Sequence, residues 1–399
     1  MACSTMTLKA FLFSFILMCL WKSSFEQEIF NPLAYEAEGD GVTDDSQALV
    51  DAWDSACEHH APAIFLIPEN TTFLSGPASF EGPCRVTPTV QIRGTLKAID
   101  SLSAFHDPGW IEFKHLDDLH IDGGGTFDGQ GSRSWSHACS YCKKLPMSLR
   151  LLKVSNTTVS NLTFVDSKGF HISVQMSSSI NVNRLNITAP GNSPNTDGIH
   201  ISESNDVKIS DLHISTGDDC ISIGQGATDV HIENIICGPG HGISIGSLGK
   251  YENESDVSGV HVRNCSISDT TNGVRIKTWP GSPPSQAFNF TFQDIVMDNV
   301  SNPIIIDQQY CPDAKCVAPP SQVKISNVTY NRIRGTSNEQ VAVSLLCSQS
   351  VPCENVILQD INLTMASNIT SNATLSTCSN VVNGSAVGTQ TPDPCLTKV

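Results

Sequence analysis

The chain has 399 residues, of which 39% are hydrophobic, 16% charged and 7% aromatic. That much apolar material supports a sizeable core and excludes disorder as the main state. A formal net charge of −17 removes the basic footprint of a nucleic-acid binder. It also argues against a polyanionic partner unless a local basic cluster receives it. The N-terminus reads as a signal peptide over residues 1–24. Lys9 supplies its positive region, and the apolar run from Phe11 to Trp21 is too short to cross a bilayer. Cleavage is placed loosely between Cys19 and Gln27, and a secreted, extracellular protein is expected.

The segment from Gly41 to Cys57 reads as a helix. Asp44, Asp45 and Ser46 enrich its first turn, and Ala48, Leu49, Ala52, Trp53, Ala56 and Cys57 recur at helical spacing. Beyond it the period changes to two. One strand series has a central polar anchor: Asn161, Arg184, Asp211, Asn234, Asn264, Asp294, Asn327 and Asp360. A second series interleaves with it: GFHIS (169–173), GIHIS (198–202), CISIG (220–224), GISIG (242–246), GVRIK (273–277) and PIIID (303–307). Both recur at 22 to 33 residues. Connections that short leave no room for helical crossovers, so the pattern predicts an all-β solenoid, a parallel β-helix with one strand per sheet in each coil. The N-terminal helix is a natural cap, and the Cys/Asn/Ser-rich tail from about residue 365 is expected to close the other end. Residues 25–399 then form a single domain. A β-propeller is the competing architecture, but its four-stranded blades are longer than most of these repeats.

Of the 15 cysteines, Cys3 and Cys19 leave with the signal. Proximity in an oxidising compartment suggests Cys57/Cys84, Cys139/Cys142, Cys220/Cys237, Cys311/Cys316, Cys347/Cys353 and Cys378/Cys395, with Cys265 free. Zinc is disfavoured because the C-x-x-C at Cys139 has no second pair at ligand spacing. Thirteen N-x-S/T sequons are present, some of them expected to carry glycans.

Aligning the second series places Asp197, Asp219 and His241 at one equivalent position in three successive coils. Neighbouring parallel strands lie about 4.8 Å apart, so these side chains form a ladder. Asp218 adds a third carboxylate. One coil on, Arg275 and Lys277 share a face where earlier coils carry Ser222, Gly224, Ser244 and Gly246. Crowded carboxylates raise at least one pKa, which keeps an acid protonated beside ionised neighbours. Glycoside hydrolysis has that requirement. Arg275 and Lys277 could receive a sugar carboxylate, so a uronic-acid polymer fits both halves. Clustered carboxylates also read as a calcium site, and Asp197 or Asn195 as turn caps. His171, His200, His213, His231 and His261 are assigned no role.

The blocks NTDG (195–198), GDDC (217–220), GHG (240–242) and RIK (275–277), with Tyr310 in QQYC (308–311), resemble glycoside hydrolase family 28, the polygalacturonases. The resemblance implies a right-handed parallel β-helix and inverting hydrolysis of α-1,4-galacturonan, with no cofactor or metal. It implies that Asp218 is the general acid, that Asp197 and Asp219 activate the water, and that His241 tunes the acid. Arg275, Lys277, Tyr310 and Asn195 would bind substrate. Glu36 stands where family members commonly have glycine. Within the family, SPNTDGIHI (193–201), CGPGHGISIGSLGKY (237–251), YCPDAKC (310–316) and VSLLCSQSVPC (343–353) look like plant pollen-type exopolygalacturonases. Most of these strings are shared with plant endo enzymes, so endo action is the alternative. Exo action would require loops that close the cleft, for which Asp128–Lys144 and Trp279–Ala287 are the candidates. A pectate lyase, a rhamnogalacturonan hydrolase and a non-catalytic wall-binding protein are the remaining readings. A monomer acting on cell-wall pectin, without membrane or nucleic-acid partners, is expected.

Overall fold

The computed structural model describes residues 27–137, 145–312, 316, 319–366 and 373–399. The proposed signal segment and the Cys139/Cys142 pair lie outside them. Among the described residues the strands form a 19-stranded and an 11-stranded sheet, and every pairing between them is parallel. The chain is a parallel β-helix. From Met147–Leu152 to Cys353–Met365, each coil puts one short strand in the 11-stranded sheet and one long strand, such as Asn205–Ser215, in the other. No described helix is long and apolar enough to cross a membrane.

The anchor residues of the first series turn out to be corners. Asn161, Arg184, Asp211, Asn234, Asn264, Asp294 and Asp360 all have φ between 52° and 59°. Asn and Asp tolerate this left-handed conformation better than other residues with a Cβ. Each long strand bends there, which wraps the coil around the core. Stacked corners also bond to one another. Asn264 Nδ2 donates to Asn234 Oδ1 at 2.7 Å, and Asn234 Nδ2 donates to Asp211 Oδ1 at 2.9 Å.

One anchor is corrected. Asn327 belongs to the preceding corner, above Asn289, to which its Nδ2 donates at 3.2 Å. The residue stacked on Asp294 is Arg332, 38 positions later, whose Nε and Nη2 reach the Asp294 carboxylate at 2.6 and 2.7 Å. Two similar polar corners in this strand, Asn327 and Arg332, make the register ambiguous by one corner.

Between the corners, apolar side chains stack in rows. Val159, Val182, Ile209, Ile232, Val262, Phe292, Tyr330 and Leu358 pair in register through eight coils, and all are at most 1% exposed. Burying each branched aliphatic contributes about 1.5–3 kcal/mol.

The helix is Ser46–Glu58, shorter than expected at its start, because Asp40–Asp44 pairs as a strand with Thr72–Ser75. Asp45 is buried and does not cap the helix with its side chain. It accepts from the amides of Glu38 and Gly39 at 2.8 and 3.3 Å, holding the preceding turn. The helix buries Ala48, Leu49, Ala52, Trp53, Ala56 and Cys57, and the Trp53 ring packs against Phe65, Phe80 and Phe113. Glu36 has φ 68° at the end of the short helical turn Pro32–Tyr35. Glycine adopts this left-handed conformation without the steric cost that a Cβ brings.

The bridges Cys57–Cys84, Cys220–Cys237, Cys311–Cys316, Cys347–Cys353 and Cys378–Cys395 form as expected. Cys265 is free and buried, and burial pushes its thiol up to about 12. The C-terminal tail supplies further rungs: Leu375–Ser379 pairs with Val341–Leu346, and Ser385–Thr391 with Cys353–Met365.

Candidate active site

The site lies on the outer face of the 11-stranded sheet, across Ile199–Ser202, Ile221–Ile223, Ile243–Leu248 and Asn272–Thr278. Their inward residues are apolar and pair as Ile199↔Ile221↔Ile243↔Val274. By alternation, His200, Ser222, Ser244 and Arg275 form one outward row. Asp197, Asp219 and His241 precede the first apolar residues, so the register read from sequence is the register observed. A bulge between Ile245 and Leu248 accommodates the close approach of Gly246 to the backbone of Lys277.

Asp219 is the best-held group. Its side chain is 1% exposed. Oδ1 accepts from Arg275 Nη2 and from Ser244 Oγ, both at 2.8 Å, and Oδ2 accepts from Lys277 Nζ at 2.8 Å. Burial alone would raise its pKa, but the attraction of Lys277 and Arg275 wins and holds it below the usual carboxylate range. Asp197 goes the other way. It is buried, and burial together with the charges of Asp218 and Asp219 pushes its pKa well up, opposed by one hydrogen bond of 2.6 Å from Ser222 Oγ. Asp218 is the most exposed of the three, with a 24% exposed side chain. Its Oδ1 accepts from the amide of Asp219 at 2.8 Å and lies 3.1 Å from His241 Nδ1.

The structure therefore brings Asp197, Asp218, Asp219, His241, Arg275 and Lys277 together. Tyr310 joins them: its ring centre lies 5.1 Å from Lys277 Nζ and 5.8 Å from the Arg275 guanidinium carbon. Asn195 is exposed two residues before Asp197 with φ 54°. The two cations expected to meet substrate are already paired with Asp219 and largely buried. Each retains donors beyond those that Asp219 uses.

Sequence reasoning missed four residues. Ser222 and Ser244 looked like open floor, yet they donate to Asp197 and Asp219. His200 Nδ1 lies 2.8 Å from Ser222 Oγ, which makes a chain from His200 through Ser222 to Asp197. His171 is fully buried beneath the site, with Nδ1 3.1 Å from the carbonyl oxygen of Asp197, and burial lowers its pKa to about 4. Their positions in the outward row and beside the ladder were the available signal.

Asp218, Asp219 and His241 bring possible metal-ligand atoms within 4.8 Å of one another. Both Asp219 oxygens are committed to fixed cations, however, and those charges oppose a third positive ion.

A β-helix bearing one carboxylate held ionised and another pushed toward its acid form has the equipment of a glycoside hydrolase. The chain belongs to the glycosyl hydrolases family 28, whose family model matches residues 57–387. It is 45% identical over 358 residues to a polygalacturonase of Gossypium barbadense, covering 88% of each chain. It is 45% identical over 359 residues to an exopolygalacturonase of Platanus acerifolia, covering 88% of this chain and 94% of that one. Among solved structures, an exopolygalacturonase from Thermotoga maritima matches with a TM-score of 0.72 over 89% of this chain and 91% of that one. At 17% identity, this last likeness concerns the fold.

Proposed function

We propose that this chain is an exo-acting hydrolase of α-1,4-linked galacturonan, secreted to act on cell-wall pectin as a monomer. The observation that carries the reading is Asp219 clamped by Arg275 and Lys277 beside two further carboxyls, in a chain 45% identical to an exopolygalacturonase. The leader-like N-terminus and the sequons support secretion. In this reading residues 25–399 are one catalytic domain.

Asp218, the most accessible carboxyl, protonates the leaving oxygen. Asp219, kept ionised, takes the proton of the attacking water, and Asp197 orients that water. Burial and the neighbouring carboxylate charges push Asp197 towards its neutral form, and the Ser222 hydrogen bond and the charge of Lys277 act against that push. His241 fixes the orientation of Asp218 through the 3.1 Å contact. The remaining donors of Arg275 and Lys277, with the Tyr310 ring, receive the substrate carboxylate and sugar face. Exo action is supported by the relatives' names. The described part of Asp128–Lys144 is pinned by Lys168 Nζ to the Gly129 carbonyl at 2.6 Å and by Trp135 Nε1 to the Ser167 carbonyl at 3.1 Å. Trp279–Ala287 starts beside Tyr310, with ring centres 5.5 Å apart.

One oxygen of Asp218 and one of Asp219 lie within 4.8 Å of each other, while carboxyl groups roughly 6.5–9.5 Å apart serve inversion and those about 5–5.5 Å apart serve retention. We take the outcome to be inversion, with Asp218 as the acid and Asp219 activating the water. Proton NMR of the first anomer released from polygalacturonate tests this. The β-anomer is expected, and an initial α-anomer would turn one aspartate into a nucleophile and overturn the role assignment.

A further inference from the structure

Beyond Tyr310, away from the aspartates, the aromatic and cationic side chains continue. The Trp279 ring meets Tyr310 edge-on at 5.5 Å. Lys250 Nζ lies 5.0 Å from the centre of the Trp279 ring and 5.7 Å from that of Tyr251. Tyr251 is 57% exposed, and Lys250 is exposed as well. The Trp279 indole nitrogen is closed off from solvent without a hydrogen-bond acceptor.

The turn that presents Lys250 and Tyr251 is pre-set. The Glu254 carboxylate accepts from the amides of Gly249, Lys250 and Tyr251 at 2.6, 2.9 and 2.9 Å. Gly249 has φ 78°, and a Cβ there would meet Ser282 Cβ at 2.2 Å, so the turn needs glycine. The Trp279 amide donates to the Leu248 carbonyl at 2.9 Å, tying the turn to the strand that carries Arg275 and Lys277. An exposed tyrosine and a half-buried tryptophan bracket one ammonium, at a fixed place one ring beyond the reaction centre.

We propose that Lys250, Tyr251 and Trp279 form a second docking station, which binds the next galacturonate residue along the substrate chain from the one at Arg275, Lys277 and Tyr310. The inference rests on the galacturonan reading above. The rings offer a flat apolar surface to the C–H face of a sugar. The lysine keeps free N–H donors for a carboxylate while its charge sits over the rings. A substrate that carries one carboxylate on every residue matches two cationic stations in series.

The test compares digalacturonate, trigalacturonate and polygalacturonate as substrates of the full chain and of Lys250→Gln and Tyr251→Ala. Both positions are exposed, and neither touches the aspartates. A partly exposed charge contact corresponds to about fivefold in affinity. Lys250→Gln is expected to raise KM about fivefold for the trimer and polymer, with kcat within twofold and the dimer unaffected. A greater loss with Lys250→Glu and weakening of the effect in high salt are expected with it. An equal loss on all three substrates would make the turn merely structural, and no loss on any would remove the station. Wild-type turnover tests the functional reading separately: an enzyme inert on all three overturns that reading, whereas an active enzyme with an unchanged Lys250→Gln profile overturns only the station.

Discussion

Replacing Lys277 with methionine removes one of the two cations that hold Asp219. The pair is short, at 2.8 Å, and its side chains are only 8% and 1% exposed. Breaking a buried pair from one side leaves an uncompensated charge and costs about 3–5 kcal/mol. With an unfolding entropy of roughly 2.1 cal/mol/K per residue, that is a fall of about 4–6 °C in melting temperature for a chain of this length. Asp219→Asn removes the other partner, leaving Arg275 and Lys277 buried against a neutral amide. The double variant leaves neither charge of the pair unmatched by the other, so it should lose less than the sum of the singles by about 2 kcal/mol. Urea and thermal unfolding of the four proteins read this cycle without reference to activity. Additive single effects, or a Lys277→Met protein as stable as wild type, would refute the clamp as the force that keeps Asp219 ionised.

Asp218→Asn should lower kcat by about 10²–10⁴ while leaving circular dichroism and melting unchanged. Activity within tenfold of wild type would remove Asp218 from the acid role. Ser222→Ala removes the hydrogen bond that lowers Asp197, so the acidic limb of kcat/KM should move to higher pH. His200→Gln should act in the same direction through Ser222, and a limb that stays in place in both variants contradicts the relay. The folded His171 takes up its proton near pH 4, the unfolded one near 6.5. Between those values the unfolded chain binds more protons, and stability falls as pH drops through the window, by up to about 3 kcal/mol. Asp197, whose pKa is raised, contributes with the opposite sign, so calorimetry from pH 7 to 4 is best run on Asp197→Asn. A melting temperature that does not change over that range contradicts a neutral buried His171.

The strand register and the roll of charged site residues were legible because both follow from a period of two and a rung spacing of about 4.8 Å. Once GIHIS, CISIG, GISIG and GVRIK align, Asp197, Asp219 and His241 must stack. The bridges were legible from proximity in sequence. Less visible was which side chains meet across rungs. Arg275 and Lys277 reach back past Ser244 to Asp219, a choice that depends on side-chain length and on burial, neither of which the alignment encodes. Ser222 and Ser244 read as gaps because a small polar residue gives the same pattern whether it bonds or merely clears space. The strand Asp40–Asp44 was absorbed into the helix because its acidic residues resemble a helix start. Asn327 and Arg332 are hard to tell apart in the pattern because their strand carries two left-handed polar corners, and the pattern alone does not number them.

The central claim is galacturonan hydrolysis from a chain end, and the masses of the earliest products from de-esterified polygalacturonate test it most directly. The account predicts saturated monogalacturonate alone, one water heavier than the residue in the polymer. A ladder of saturated oligomers would contradict exo action, and products lighter by one water would mean elimination and break the acid and base roles given to Asp218 and Asp219.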